Sequence, residues 1–305
     1  MSGIRDLGTG NVARAEGRAA FDARGGLESL LTHLVSESYL LLLRSVKSSH
    51  DSMRTIYSEW NRGELADPLI AATADALGLR DLDGEPLLEK VLDVASRAEP
   101  CVNAAALAMD LGVPAPAFAQ AAASSHISAL KDERVDASAV LSGPKHATTG
   151  DRTALVEEIR RALLAATILA QAQAFLLLSR AAAAKGALAD LCGTAQLWSE
   201  GRASFLHQRL GEALCRNPEL ELVILDAQIK ALLDPCLPSL RRVVARSAES
   251  GLAVPVFAAC LQFYDQCRST WLPANLVRAL RDARGGEGFE RVDRPRGEIF
   301  HSDWK

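Results

Sequence analysis

Apolar residues recur at helical spacing along almost the whole chain, and this periodicity restricts the fold more than any other feature. From Leu27 onward they follow steps of three and four residues, and no β-branched run is flanked by hairpin turn dipeptides. Most of the apolar share comes from Ala and Leu, which favour helices, whereas aromatic residues make up only 5%. The sequence therefore predicts an all-α protein.

Gly, Pro, Asn and Asp clusters divide this pattern into predicted helices. In order these are 21–46, a second helix through Met53 to Trp60, 65–77, 87–96, 102–111, 115–134, 152–185, 188–215, 220–233, 237–250, 256–267 and a short one ending at Ala283. We expect a flexible segment over residues 1–26 and a single helical domain over 27–283. A Gly-, Arg- and Pro-rich extended tail follows over 284–305, and its aromatic residues predict that it docks on another surface.

Charge and hydropathy argue against a nucleic-acid-binding protein and against a membrane-spanning one. The 305 residues carry a formal net charge of −4, without the basic excess of a nucleic-acid binder. The most apolar stretch, residues 163–184, contains Gln171, Gln173 and Arg180, which favours a buried central helix over a membrane span. The N-terminus has no apolar core of a secretory signal, so we expect a cytoplasmic protein with no membrane partner.

The cysteines and histidines give no support for a metal site. The six cysteines form no CxxC pair and have no histidine at zinc-ligand spacing, and the six histidines show no i, i+4 pairing. We therefore expect no bound metal and six reduced, buried thiols.

Residues 8–13 spell GxGxxA, the form of a dinucleotide-binding turn. That turn needs a buried strand before the glycines, and only Ile4 and Leu7 are apolar there. We therefore interpret the spacing as chance.

Three segments carry a family resemblance: residues 49–65, 129–144 and 263–293, with the tail up to Trp304. With the intervening helices they resemble the helical C-terminal domain of the 6-phosphogluconate dehydrogenase family, from about Gly25 to the end. The resemblance implies a homodimer in which the tail of one subunit crosses to the other and completes its active site. In that family an N-terminal domain supplies NADP, and this chain leaves no room for it. We therefore expect no cofactor on the chain alone, and NADP only with a separate dinucleotide-binding partner.

The resemblance transfers few catalytic residues. The family motif KxxHNGIEY falls on residues 21–29, which puts Phe21 at the lysine general base, Glu28 at the proton-donating acid and Ser29 at the phosphate-contacting tyrosine. Glu28 is therefore the candidate catalytic residue, with a carboxylate stabilised by a helix N-terminus as the alternative interpretation.

The family's phosphate-binding residues are mostly substituted. Ala98 and Ser125 take the positions of a lysine and an arginine, and Glu287 takes that of a histidine. Arg281 alone retains its cationic type, although an ion pair with Asp282 or Glu290 would also explain it. By position, Ser29, Ser125, Arg281 and Glu287 are the candidate substrate-binding residues. Lys131, Asp132 and Arg134 are expected to form a structural network.

Three functions stay open. The first is a divergent homologue that does not perform the parent NADP-dependent oxidative decarboxylation of 6-phosphogluconate alone, and that binds a small molecule or catalyses other chemistry in the inherited dimer-interface cavity. The second is the helical half of a split dehydrogenase that works with a separate NADP-binding chain. The third is a cofactor-independent lyase or tautomerase that uses Glu28. Ser124 and His126, beside Ser125, could line a remodelled pocket.

Overall fold

The computed structural model describes the backbone of residues 9–95, 99–144, 150–199 and 204–304, and the side chains from Arg24 onward. These residues form thirteen α-helices and no strand, which confirms the all-α prediction. The helices are α1 Thr9–Arg44, α2 His50–Trp60, α3 Pro68–Gly78, α4 Glu99–Asp110, α5 Pro116–Ala129, α6 Lys131–Val140, α7 Arg152–Ala183, α8 Leu191–Ser199, α9 Phe205–Arg216, α10 Ala227–Leu233, α11 Leu237–Glu249, α12 Pro255–Cys267 and α13 Ala274–Gly285.

Some boundaries differ from the prediction. Helix α1 begins at Thr9 rather than Phe21. Whether residues 1–26 are flexible in solution stays a prediction, and residues 1–8 lie outside the described residues. The segment predicted as helix 87–96 forms a single 3₁₀ turn, Leu87–Lys90. Its remaining described residues are not helical.

Capping side chains explain why two predicted helices are divided. Within predicted helix 188–215, Ser204 caps a new helix, α9, by accepting from the His207 N–H. Within 220–233, Asp226 starts α10 by accepting from the N–H groups of Gln228 and Ile229. Because a cap satisfies otherwise unpaired N–H groups, it fixes a helix start where apolar spacing alone suggests continuity. Predicted helix 115–134 also breaks, at Leu130 between α5 and α6.

Helix α7 forms the centre of the fold, as the sequence predicted. It is the one helix in the described part of the chain that is long and apolar enough to cross a membrane, and 89% of its most apolar window is buried within the protein. Gln173 lies fully inside, where its Oε1 accepts from the Ala117 N–H at 3.0 Å. Its polar side chain thereby satisfies a backbone donor at the start of α5.

The cysteine prediction is wrong for three residues. Cys192 of α8 and Cys215 of α9 are joined by a disulfide, and Cys267 is exposed. The segment predicted as one helix, 188–215, forms two adjacent helices, α8 and α9. Their packing brings these cysteines to a Cα–Cα distance of 4.7 Å. The other three cysteines are free and buried.

A buried carboxylate joins α1 to α12. The Glu37 Oε1 and Oε2 atoms accept from the N–H groups of Val256 at 2.8 Å and Phe257 at 3.0 Å. These are unpaired donors of the first turn of α12, so one α1 side chain holds the start of a helix more than 200 residues away. Burial raises the pKa of Glu37 to about 7, against the opposing effect of the two N–H donors.

Apart from the first compact unit, Met1–Phe263, residues Tyr264–Lys305 form a second one. Its centre is Asp282 of α13, whose carboxylate accepts from the Gly288 N–H, His301 Nδ1, the Ser302 N–H and Trp304 Nε1 at 2.7 to 3.2 Å. Phe289 and Phe300 pair as an isolated antiparallel bridge. The described part of the tail is therefore folded back on α13. These donors hold the pKa of Asp282 well below its usual range.

Replacing Glu37 should change how stability depends on pH. Because its pKa is raised above the ordinary value of 4.5, the folded protein binds an extra proton between about pH 4.5 and 7. The free energy of unfolding should therefore fall by up to about 3 kcal/mol as pH rises through that window. Glu37→Gln, which cannot titrate, should lack this part of the slope in urea unfolding. Equal slopes in the two proteins would contradict the prediction.

Removing the Asp282 carboxylate should release the tail. In Asp282→Ala the four donors lose their acceptor, so trypsin should cleave after Arg291 or Arg296 about tenfold faster or more than in wild type. Asp293→Ala, which removes an exposed partner of Arg291, is the matched control. Mass spectrometry of timed digests measures both rates, and equal rates in the two variants would show that Asp282 does not hold the tail.

Candidate functional site

The candidate acid Glu28 lies on a half-exposed face of α1. Its Oε1 atom is 3.3 Å from Arg24 Nε, one turn earlier, and 44% of its side chain is exposed. The alternative interpretation, a carboxylate at a helix N-terminus, is wrong because α1 begins at Thr9, about five turns before Glu28. The proposed acid role depended on burial, and this side chain is half-exposed. That role stays a prediction.

Ser29 and Ser125 face neighbouring helices from the same wall of the fold. Ser29 hydrogen-bonds the Cys101 thiol of α4, and that thiol donates to the Gly26 carbonyl at 3.3 Å. One turn along α1, His33 Nε2 lies 2.8 Å from Ser125 Oγ of α5. Residues at i and i+4 share a helix face, so Ser29 and His33 form one polar strip of α1.

The Ser125–His33 pair is neutral, with Ser125 buried and His33 half-buried at the edge of the helix wall. Ser125 is only 3% exposed, and burial lowers the pKa of His33, which favours the uncharged imidazole. A buried hydroxyl therefore occupies the position for which the resemblance implies an arginine, and its bond to His33 is already formed. Ala98, the second substituted position, lies outside the described residues.

A cleft of about 680 Å³ opens further along the same face of α1. Its walls are α1 from Thr32 to Tyr39, α3 from Leu69 to Leu77, the segment 88–95, and Ser124 and Ser128 of α5. The lining is mainly apolar, and a cleft of this volume suits a small organic ligand. Asp93 is the one residue with an ionised side chain among the described lining residues.

Part of the cleft wall is held by the network expected around the KDER segment. Arg134 binds Asp93 Oδ2 and the Asp93 and Ser128 carbonyls at 3.0 to 3.1 Å, and Lys131 also pairs with Asp93. Ser128 Oγ bonds both backbone groups of Ala95. Lys131 and Arg134 lower the pKa of Asp93 to about 2. The structural role predicted for these two residues is confirmed, and Asp132 is exposed.

Sequence reasoning located the cleft only in part. Ser124 lines it as suggested, whereas His126 is exposed and is not part of the lining. Glu28, Ser29 and Ser125 border the cleft face of α1 and α5 without lining the cleft. The missed residues are His33, Tyr39 and the segment 88–95. His33 could have been found from its position one helical turn after Ser29, which places it on the same face of α1.

Arg281 and Glu287 belong to the second unit. Both side chains are exposed, and Glu287 Oε2 lies 3.8 Å from Arg278 Nη1. The ion-pair partners proposed for Arg281 bind other groups: Asp282 accepts from the tail, and Glu290 from Arg296 and the Gly297 N–H. Arg281 is therefore displayed at the surface beside the Asp282 centre.

Comparison with known proteins identifies the relatives of this chain. A family model described as "6-phosphogluconate dehydrogenase, C-terminal domain" matches residues 24–304. The chain is 36% identical over 282 residues to the decarboxylating 6-phosphogluconate dehydrogenase of Haemophilus influenzae, and 37% identical over 283 residues to that of Mus musculus. Each alignment covers 92% of this chain and 58% of the relative.

A solved structure of Plasmodium falciparum 6-phosphogluconate dehydrogenase superposes with a TM-score of 0.88 at 27% identity, over 93% of this chain and 62% of that one. The chain thus spans about three fifths of the length of these relatives. The sequence match and the shared helical fold agree over the same region. The chain therefore belongs to the 6-phosphogluconate dehydrogenase family, matching the helical C-terminal domain of its relatives.

Proposed function

We propose that this chain is a divergent family member that does not carry out the NADP-dependent oxidative decarboxylation of 6-phosphogluconate on its own. Instead it binds a small molecule, or acts on one, with surfaces inherited from the parent domain. The observation that carries this proposal is the neutral Ser125–His33 pair, in which the buried Ser125 stands where the resemblance implies a phosphate-binding arginine.

The electrostatics of the candidate residues support this proposal. A phosphate dianion needs cationic partners, and Arg281 is the one cation among the four candidate substrate-binding residues. Glu287 replaces a histidine with a carboxylate, which would repel the dianion. At the cleft, Lys131 and Arg134 both pair with Asp93, and neither cation is among the described residues that line the cleft. A neutral, largely apolar small molecule suits this lining better than a sugar phosphate.

The residues present do not fit NADP either. A dinucleotide turn needs a buried strand before its glycines, and only Ile4 and Leu7 are apolar there. The family's lysine base corresponds to Phe21, a hydrocarbon that accepts no proton. A hydride acceptor and a base would both have to come from elsewhere.

Two alternatives remain specific enough to test. The preserved fold, with its TM-score of 0.88, favours a split dehydrogenase in which a separate dinucleotide-binding chain completes the site. That arrangement would restore NADP binding but not the lysine base.

The retained carboxylate of Glu28, paired with Arg24, favours a cofactor-independent lyase or tautomerase. For that alternative, Glu28→Gln should abolish any activity found, and an unchanged rate would exclude it.

We also propose a cytoplasmic homodimer with exchanged tails. Its support is the set of large apolar side chains that stay exposed in the second unit, among them Trp271, Leu276, Val277, Leu280 and Ile299. Contiguous exposed apolar surface marks interaction sites, and a second copy would cover it. In such a dimer Arg281 and Glu287 would reach the partner's site.

The parent reaction should be absent. Purified chain mixed with 6-phosphogluconate and NADP should give no rise in NADPH absorbance, and neither ligand should shift the melting temperature, because the cations and the base are substituted. An intact two-domain family enzyme assayed in parallel is the positive control. A clear rate of NADPH formation by this chain alone would overturn the proposed function.

The dimer should depend on the apolar face of α13. The double variant Leu276→Asp, Leu280→Asp should raise the dissociation constant of the dimer about 100-fold or more, because it places charge in a buried contact. Light scattering after size exclusion measures the mass as a function of concentration. Leu82→Asp, at an exposed position in the first unit, is the matched control. A wild-type chain that is monomeric at all concentrations would contradict the dimer.

A further inference from the structure

We propose that Cys192 and Cys215 form a reversible redox-modification site, in which a low-molecular-weight disulfide oxidises the two thiols and thereby fastens α8 to α9. This proposal is independent of the function proposed above. It concerns two adjacent helices of the first unit.

The two cysteines lie at the same end of an antiparallel pair of helices. Cys192 is the second residue of α8 and Cys215 is the last but one of α9, so the bond closes the open end of the pair. Cys215 is exposed and Cys192 is partly exposed. A small reagent in solution therefore reaches Cys215 directly, with Cys192 beside it.

The remaining cysteines lack this combination of access and partner. Cys101, Cys236 and Cys260 are buried, and burial raises the pKa of each thiol, which suppresses the reactive thiolate. Cys267 is exposed but is a single free thiol. Selective oxidation at the 192–215 pair follows from exposure and proximity together.

Helix α8 depends on its neighbours for stability. It has nine residues, fewer than an isolated helix needs in water, so packing must hold it in place. Trp198 stacks against Phe175 of α7 with ring centroids 5.3 Å apart, and Ala195 approaches Gly211 of α9 closely enough that an added Cβ would sit 3.5 Å away. These contacts lie along the helix beyond its first turn, and the disulfide fixes that first turn. Reduction should therefore loosen the start of α8.

The exchange balances without any other reactant. The Cys215 thiolate attacks one sulfur of glutathione disulfide, forming a mixed disulfide and releasing one glutathione thiolate. The Cys192 thiolate then attacks the Cys215 sulfur and releases the second glutathione. The protein loses two electrons and two protons, and glutathione disulfide becomes two glutathione thiols. In a reducing cytoplasm such a bond would be transient, as expected of a sensing pair.

The test begins with the fully reduced full-length chain, incubated with glutathione disulfide and then mapped by mass spectrometry without reduction. We expect a Cys192–Cys215 cross-linked peptide that disappears with dithiothreitol. In Cys192→Ser, Cys215 should retain one bound glutathione, because the resolving thiol is missing. Cys267→Ser is the matched control and should cross-link like wild type. Separate glutathione adducts on Cys192 and Cys215 of wild type, or no reaction at either, would overturn the proposal.

A second measurement tests whether the bond fastens α8. A bond between residues 23 positions apart should raise the melting temperature of the oxidised chain by roughly 5–10 °C over the reduced chain. Hydrogen exchange should show slower exchange of α8 amides on oxidation, and Cys192→Ser should show neither change. Identical melting and exchange in the oxidised and reduced wild type would overturn the fastening.

Discussion

The burial of α7 is the constraint on which the rest of the structure depends. The most apolar window of α7 is 89% buried, so a polar side chain there needs a partner from within the protein. Gln173 meets this requirement by accepting the first free N–H of α5, which fixes the helix that carries Ser125. Helices α1 and α11 pack along α7 as well. The position of the candidate site is thus set by how the central helix is covered.

Other buried polar side chains also fix the positions of helices that are distant in sequence. Glu37 holds the start of α12, and Ser38 bonds Tyr57 Oη of α2 at 2.6 Å. Both residues belong to the middle of α1, whose earlier turns carry Glu28, Ser29 and His33. Because α1 is anchored at its centre, its polar strip is presented to α4 and α5 in a fixed register. In the proposed function, substitutions along that strip change its chemistry while the helical frame is kept.

In the proposed function, divergence concerns charge rather than fold. The fold is shared with a TM-score of 0.88, whereas the resemblance implies an arginine at the position of Ser125 and a histidine at that of Glu287. Core packing depends on volume and apolar character, which α7 and its neighbours retain. Phosphate binding depends on a few exact side chains, and single substitutions remove it. The same scaffold can in this way keep its architecture while its ligand changes.

The sequence by itself determined the helical class, the buried central helix, the family and the structural role of Lys131 and Arg134. These follow from local periodicity, from polar residues within an apolar stretch and from extended motifs. Only the tertiary structure decided that Ser125 bonds His33, that Asp93 closes a cleft wall, that Cys192 meets Cys215 and that Asp282 gathers the tail. Each of these contacts joins residues that are distant in sequence or separated by a helix break. Local sequence patterns do not predict such contacts. It is set by which helix faces are brought together when the apolar surface of α7 is buried.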